Sequence, residues 1–180
     1  MSLERAIALR RSCRAFRADS LSAEQIGQLF WSAQGITEPQ RGRRAAPSAG
    51  ATYPLELYAV RREGVFCYRP AGHELAAISE RDVRSELARA AWDQEFIAQA
   101  PLTVAIAAVL SRTAGRYGGR AARYVHIEVG HVAENIHLQA VAMGLGSVAV
   151  GAFDDRKVKQ VLALPAEQEP LYLIPVGWPA

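Results

Sequence analysis

One long stretch repeats apolar residues at helical spacing, and it constrains the fold more than any other feature of the 180-residue chain. The repeating residues are Ala121, Val125, Val129, Val132, Ala133, Ile136, Ala140 and Val141. Steps of three and four residues place them on one side of an α-helix. That side is apolar enough for us to expect this helix at the centre of the fold.

Shorter helices and strands are predicted on both sides of this stretch. Ser2 can cap a helix that runs through about Arg10, and Ser22 with Gln25 makes a capping box for a second helix, which ends near Gly35. Strands are predicted at 55–60, 65–68, 102–110, 148–150 and 171–176, helices at 82–92 and 155–162, a loop at 36–52, and a break at Gly115, Gly118 and Gly119. These elements predict a single α+β layered domain over residues 1–180.

Residues 45–58 join a loop of small side chains to an alternating apolar strand. Pro47, Ala49 and Gly50 carry little side chain, so the backbone at these positions can approach a flat ligand closely. Ser48 adds a hydroxyl that can donate and accept hydrogen bonds. The segment therefore predicts a ligand-binding loop.

Arg10, Arg11 and Arg14 place three guanidinium groups within five positions, directly after the first predicted helix and with Ser12 between them. Planar guanidinium groups bind a phosphate bidentately, which lysine does less well. Alternatively, these arginines bind no ligand, and their charges only complement the helix dipole at the carboxyl end of the helix. Both interpretations stay open on these residues alone.

The composition of the chain limits the kinds of ligand and macromolecule that it can bind. The formal charge of +3 and the pI near 9.1 suit an anionic cofactor but fall short of a nucleic-acid footprint. Cys13 and Cys67 are too far apart to indicate a zinc site or a disulfide framework. The start lacks a signal-peptide pattern, and no apolar run approaches the roughly 18 residues that a membrane helix needs. We expect a cytoplasmic protein without membrane contact.

The central helix repeats the Glu-x-x-His spacing of di-iron proteins at Glu128, His131, Glu134 and His137. At about 100 degrees per residue these four side chains fan over half the circumference of the helix, and such a site needs partners on several helices. No metal site is predicted. The histidines are expected at the edge of the core or at an interface, and Asn135 is expected to bond across a dimer contact.

Four segments in order resemble the nitroreductase family. They are the Arg10–Arg14 run with its serine, the Pro47–Tyr58 pattern, the helix 122–135, and Gly144–Asp155 followed by Leu171–Gly177. Within the family, the Pro47–Tyr58 pattern is similar to that of the thiazoline and oxazoline dehydrogenases of streptolysin S type gene clusters. The resemblance implies a three-layer α+β fold with a central, mostly antiparallel sheet flanked by helices, and a homodimer with FMN at the subunit interface.

The resemblance also implies roles for individual residues. Arg10, Arg11 and Ser12 would hold the flavin phosphate and ribityl chain, and Arg14 would approach the pyrimidine end of the ring. The loop Pro47, Ser48, Ala49 and Gly50 would approach the flavin of the partner subunit. The backbone amides of Gly151 and Ala152 would face the N5 and O4 edge. Family members commonly continue beyond the position of Trp178-Pro179-Ala180 with basic residues, so Arg10 and Arg11 are expected to carry more of the phosphate anchoring here.

The implied catalytic pair is Arg116 and Tyr117. The azoline dehydrogenases have a Lys-Tyr pair here that abstracts a proton, and the arginine in this chain stays protonated and is a poor base. The other interpretation is that Arg112, Arg116, Arg120 and Arg123 form a solvated helical face. The implied function is an FMN-dependent oxidoreductase that works by ping-pong transfer at flavin N5, oxidising peptide azolines or reducing nitro or quinone compounds, with NAD(P)H as a possible donor. The alternative is a flavin-binding accessory or sensor protein without turnover.

Overall fold

A six-stranded antiparallel sheet organises the structure, a computed structural model that describes residues 1–180. The strands in chain order are β1 (Ile36–Glu38), β2 (Arg43–Arg44), β3 (Leu55–Arg61), β4 (Gly64–Arg69), β5 (Glu74–Ser79), β6 (Leu102–Ala108), β7 (Gly146–Ser147) and β8 (Glu169–Gly177). The sheet order is β5-β4-β3-β6-β8-β7, and β1 pairs with β2 in a separate ribbon. Every neighbouring pair of strands is antiparallel.

Seven α-helices cover the two faces of the sheet. They are α1 (Leu3–Leu9), α2 (Ala23–Gln34), α3 (Arg84–Ala90), α4 (Phe96–Gln99), α5 (Leu110–Tyr117), α6 (Ala121–Ala142) and α7 (Asp155–Val161). None of the seven combines the length and the apolar composition that a membrane crossing requires.

Alternation along the strands divides the core into two layers. On β3, Leu55 and Leu57 join the larger core with α2 and α6, whereas Tyr58 and Val60 join the second core with α3 and α7. Successive strand residues point to opposite faces, so one buried strand serves both layers. The predicted α+β architecture, a central antiparallel sheet flanked by helices, is confirmed.

Local signals placed the first two helices correctly. The Ser2 side chain accepts a hydrogen bond from the Arg5 amide at the start of α1. At α2, the Ser22 hydroxyl accepts from the Gln25 amide and the Gln25 side chain accepts from the Ser22 amide, which completes the predicted capping box. The long central helix is α6, and its apolar side is buried.

Several local predictions differ from the structure. The predicted loop at 36–52 contains the short strands β1 and β2. Gly115 lies inside α5 and does not break it, and the break falls only at Gly118, which has φ +51. The strand β5 was not predicted, because its residues are mostly half-exposed and show no apolar alternation. Residues 148–150 form only a single bridge, Val150 to Leu173, and the edge strand lies earlier, at β7.

The Arg10–Arg14 run is fixed against the edge of the sheet. Ser12 forms a parallel bridge with Ser147 of β7, and the Cys13 amide donates to the Ser147 carbonyl at 3.0 Å. Immediately afterwards, the chain pairs with its own carboxyl-terminal residues: the Arg17 amide donates to Trp178 and the Ala180 amide to Ala15. These contacts position the run beside the end of β8.

Candidate active site

A cleft of about 340 Å³ opens between the Arg10–Arg14 run, α6 and β8. Its lining residues are Arg10, Ser12, Gly130, Ala133, Glu134, His137, Ala149 and Tyr172. Of the four α6 residues in this lining, Gly130 and Ala133 are small and leave room beside the helix, whereas Glu134 and His137 add polar side chains. Two residues predicted to bind a cofactor, Arg10 and Ser12, therefore line one cavity.

Hydrogen-bond donors in and beside this cleft are free. The side chains of Arg10, Ser12 and Arg14 make no hydrogen bond or ion pair within the chain. Arg11 differs, because its guanidinium donates to the Ala8 carbonyl at 3.1 Å and to the Arg10 carbonyl at 2.6 Å. Arg11 thus caps the end of α1, as the helix-dipole interpretation expects, while Arg10 and Arg14 keep their charges available.

Gly151 and Ala152 lie near the same cleft. Both are exposed, and neither backbone N–H has an acceptor within the chain. A Cβ built on Gly151 would lie 3.5 Å from the ring of Tyr172, which lines the cleft. The Ala152 carbonyl accepts a hydrogen bond from the Gln94 amide at 3.1 Å, so this turn is anchored with its N–H groups unused.

His137, which the sequence predicted only at the edge of the core or at an interface, lies in the wall of the cleft. It is buried, and its Nδ1 lies 2.7 Å from the Ser147 hydroxyl. Burial, and then the positive charge of Arg10, lower the pKa of His137 to about 4. The imidazole is therefore neutral at physiological pH. The helical spacing of Gly130, Ala133 and His137 was the only sequence signal for this wall.

The Pro47–Tyr53 loop forms a second group of predicted residues. Gly50 has φ +59, which favours glycine, and a Cβ there would lie 2.7 Å from the Tyr117 hydroxyl, so a larger residue would displace the ends of Tyr117 and Arg116. Ala51 and Tyr53 also have positive φ, at 54° and 43°. Such conformations are uncommon for residues with a Cβ and persist where surrounding contacts fix them.

Several hydrogen bonds hold this strained loop. The Tyr53 amide donates to the Ser48 hydroxyl at 3.0 Å, and the hydroxyls of Thr52 and Thr113 lie 2.9 Å apart. His131 Nδ1 lies 3.3 Å from the Pro47 carbonyl oxygen. The loop is thereby attached to α5 and to the amino-terminal half of α6.

Arg116 and Tyr117 pack on this loop. The Arg116 guanidinium donates to the Gly50 carbonyl at 3.2 Å and lies 5.7 Å from the centroid of the Tyr117 ring. Tyr117 meets Tyr124 edge to face, with 4.9 Å between ring centroids. No hydrogen bond or ion pair joins this group to the Arg10 cleft. Within one chain, the predicted site residues thus form two groups along α6.

A buried polar network beneath the loop was missed by sequence reasoning. The Gln34 side chain donates to Glu128 at 3.4 Å and accepts from Arg44 at 3.2 Å. The Arg44 guanidinium stacks 4.6 Å over the ring of Tyr53. Burial raises the pKa of the Glu128 carboxyl, and the nearby Ser48 hydroxyl opposes that shift. The three residues come from distant parts of the chain, so no local motif signals them.

The remaining polar groups of α6 also have partners elsewhere. Asn135 donates to the Ser32 carbonyl at 2.9 Å within the same chain, so the prediction that it bonds across a dimer contact was wrong. Glu128, His131 and His137 each contact a different segment, and no group of three or more His, Cys, Asp or Glu side chains is placed to hold a metal ion.

A family model described as the nitroreductase family matches residues 7–178, nearly the whole chain. The chain belongs to the nitroreductase family. A protein of Methanocaldococcus jannaschii, provisionally named a nitroreductase, is 44% identical over 183 residues, a match that covers 98% of this chain and 91% of that protein. Membership of this family supports an oxidoreductase.

Solved structures agree with this family assignment. The crystal structure of a Ralstonia eutropha protein, also provisionally named a nitroreductase, is similar with a TM-score of 0.92 at 28% identity, covering 100% of this chain and 84% of that chain. A chain of the Escherichia coli microcin synthetase McbBCD complex, solved with truncated pro-MccB17, is similar with a TM-score of 0.82 at 23% identity, covering 93% and 68% of the two chains. At this lower identity the likeness shows the fold alone.

Proposed function

We propose that this nitroreductase family member is an FMN-dependent oxidoreductase whose flavin phosphate is bound by Arg10 and Ser12, with Arg14 beside the flavin ring. The observation that carries the proposal is a 340 Å³ cleft lined by Arg10 and Ser12, whose side-chain donors have no partner within the chain. A phosphomonoester carries nearly two negative charges and several acceptor oxygens, which such donors satisfy. Arg11 contributes less, because its guanidinium caps α1.

The rest of the cleft fits the flavin as well. The small residues Gly130, Ala133 and Ala149 leave space for a flat ring. The free N–H groups of Gly151 and Ala152 are available to an acceptor edge such as N5 and O4. FMN, when bound, supplies reversible transfer of one or two electrons. The guanidinium of Arg14 would favour negative charge on the reduced ring.

The loop group completes the proposed site from a second subunit. Pro47, Ser48, Ala49 and Gly50 are not joined to the Arg10 cleft of their own chain by any hydrogen bond or ion pair. In a homodimer they would approach the partner's flavin and bring Tyr117 with them, since Tyr117 packs against Gly50. Tyr117 would then give or take the substrate proton, while Arg116 orients the loop through the Gly50 carbonyl.

The proposed reaction has a general form, which the family supports, and a more specific form, which one sequence pattern favours. The family supports reduction of nitro or quinone compounds with NAD(P)H, and the Pro47–Tyr58 pattern favours oxidation of peptide azolines. Arg116 in place of the lysine of that branch removes a base, which leaves the proton transfer to Tyr117. A flavin-binding protein without turnover is the alternative outcome of the experiment that follows.

The experiment begins by releasing and identifying the chromophore of the purified protein. FMN is expected, and FAD, or no flavin after reconstitution with excess FMN, contradicts the proposal. Replacing both Arg10 and Arg14 with Ala removes charge-assisted bonds of about 1.5 to 3 kcal/mol each, so FMN affinity should fall at least 100-fold. Arg5→Ala with Arg62→Ala is the matched control, since both arginines are exposed and lack ion pairs.

Turnover then separates the enzyme from the non-catalytic alternative. Anaerobic addition of NADPH, NADH or an azoline peptide should bleach the bound flavin, and a nitroaromatic, quinone or oxygen should restore its colour. A holoprotein that none of these donors reduces is a flavin-binding accessory protein.

A further inference from the structure

A second cleft, of about 330 Å³, shares no lining residue with the Arg10 cleft. Three arginines line it: Arg44 from β2, Arg69 from the end of β4 and Arg112 from α5. Glu56 of β3 is the one carboxylate in its wall. Three elements thus bring guanidinium groups to one cavity, and no sequence motif predicted this arrangement.

The charges of this cleft do not balance. Arg112 and Glu56 form an ion pair at 2.6 Å, and Arg112 also donates to the Tyr53 carbonyl at 3.1 Å. Arg44 and Arg69 have no carboxylate within ion-pair distance. Glu128 reaches Arg44 only through the Gln34 amide. Even with that indirect partner included, the cleft keeps at least one positive charge without compensation.

The environment of Arg44 shows where the cleft lacks a negative charge. Its guanidinium is partly buried, is stacked over Tyr53, and uses one nitrogen for the hydrogen bond to Gln34. Burial lowers the pKa of Arg44, and Arg112 adds to that shift while Glu56 opposes it. A partly desolvated cation gains most from an anion placed against its unused N–H groups.

We infer that the Arg44–Arg69–Arg112 cleft is an anion-binding site for a carboxylate or phosphate group of a small ligand. Guanidinium groups from three elements can surround a trigonal or tetrahedral anion with bidentate hydrogen bonds. Glu56 sets the position of Arg112 and limits the total charge of the site. The inference does not require flavin, because it concerns residues that the FMN proposal does not use.

The test is calorimetric titration of the full chain with inorganic phosphate and, separately, with citrate, at constant ionic strength adjusted with sodium chloride. Saturable binding of either anion supports the site. Stronger phosphate binding points to a phosphate-bearing ligand, and stronger citrate binding to a carboxylate-bearing one. Arg69 is exposed, so Arg69→Ala should fold normally, and it should weaken binding about tenfold, as expected for loss of one charge-assisted contact.

Three further variants test whether the anion binds in this cleft. Glu56→Gln removes the only carboxylate of the cleft and frees Arg112, so it should tighten anion binding severalfold. Arg62→Ala deletes an exposed arginine outside this cleft and should leave binding unchanged. Arg10→Ala tests the other arginine cleft in the same way. No saturable binding, or binding that is lost in Arg10→Ala and retained in Arg69→Ala, overturns the inference.

Discussion

His137 links the wall of the Arg10 cleft to the stability of the protein. Its pKa is lowered from about 6.5 to about 4, first by burial and then by Arg10. Between these two values the unfolded chain binds a proton at His137 and the folded chain does not. Stability is therefore lost as the pH falls from about 6.5 to 4, and this group contributes nothing above that window.

This linkage predicts the behaviour of a variant. In urea unfolding of the flavin-free protein, wild type should lose up to roughly 3 kcal/mol between pH 6.5 and 4 through this group. His137→Gln cannot be protonated there, so its unfolding free energy should change less steeply with pH. Parallel pH profiles of the two proteins would contradict the assignment of a neutral, buried imidazole.

Tyr117 is the residue with the strongest predicted effect on turnover. Tyr117→Phe removes the proposed acid or base and should slow oxidation or reduction of an established substrate by about 100-fold or more. FMN content should stay unchanged, because Tyr117 packs on the loop and not in the Arg10 cleft. Tyr124→Phe, which alters the neighbouring ring in the same pair, is the control. Normal turnover in Tyr117→Phe would contradict this role and favour the alternative, in which the arginines around Tyr117 form a solvated helical face.

At the scale of single residues, the sequence predicted the cleft residues that lie close together along the chain. Arg10 and Ser12 stand two positions apart in the chain and line one cleft. Gln34, Arg44 and Glu128 were missed, because a network of residues from α2, β2 and α6 exists only after folding. Arg11 shows what the motif alone could not predict: of three arginines within five positions, this one bonds to its own helix.

The strained loop is the element whose sequence is most tightly determined. Gly50→Ala places a Cβ 2.7 Å from the Tyr117 hydroxyl at a φ of +59. A left-handed conformation with a Cβ costs about 1 to 2 kcal/mol, before any displacement of Tyr117. We expect the unfolding free energy to fall by at least that amount in urea titration, and turnover to fall with it.

Gly115→Ala provides the contrasting control. This glycine lies inside α5, has no positive φ, and a Cβ there meets nothing within 4 Å. Alanine should therefore stabilise the protein by about 0.5 to 1 kcal/mol, because a helical glycine loses more conformational freedom on folding. Equal effects of the two substitutions would contradict the loop geometry.

Elements were predictable where their signals are local. The capping box of α2 and the apolar face of α6 lie in short windows of sequence, and both were placed correctly. Strand β5 could not be predicted, because hydrogen bonds to β4 define it and its side chains are mostly half-exposed. The helix α5 was not predicted, because it contains Gly115 and several polar residues and has a single buried residue, Thr113.

At the scale of the whole molecule, one face has apolar side chains that a second copy of the chain would cover. Leu3, Ile7 and Leu9 of α1 are between 51% and 61% exposed, and Trp31 of α2 is 41% exposed beside an open groove. Contiguous exposed apolar surface marks interaction sites. We predict that the holoprotein sediments as a homodimer at low concentration.

A pair of charge substitutions tests the dimer and the shared site together. Trp31→Glu should produce monomers that lose FMN, whereas Ile78→Glu should not. Ile78 is the matched control, since it is 43% exposed but lies on the edge strand β5 and does not line the groove beside Trp31. A monomer that keeps its FMN would contradict a site completed by the partner.

The pairing of Ala15 and Arg17 with Trp178 and Ala180 has a consequence for biosynthesis. Contacts so far apart in sequence form slowly, because a long loop must close before they contribute. Arg10 and Ser12 are thus made first, yet reach their final positions only after residue 180 has left the ribosome. Flavin capture should therefore require that residues 170–180 have left the ribosome. Stalled nascent chains in which these residues remain inside the ribosome should retain no FMN, and chains extended until they emerge should bind it.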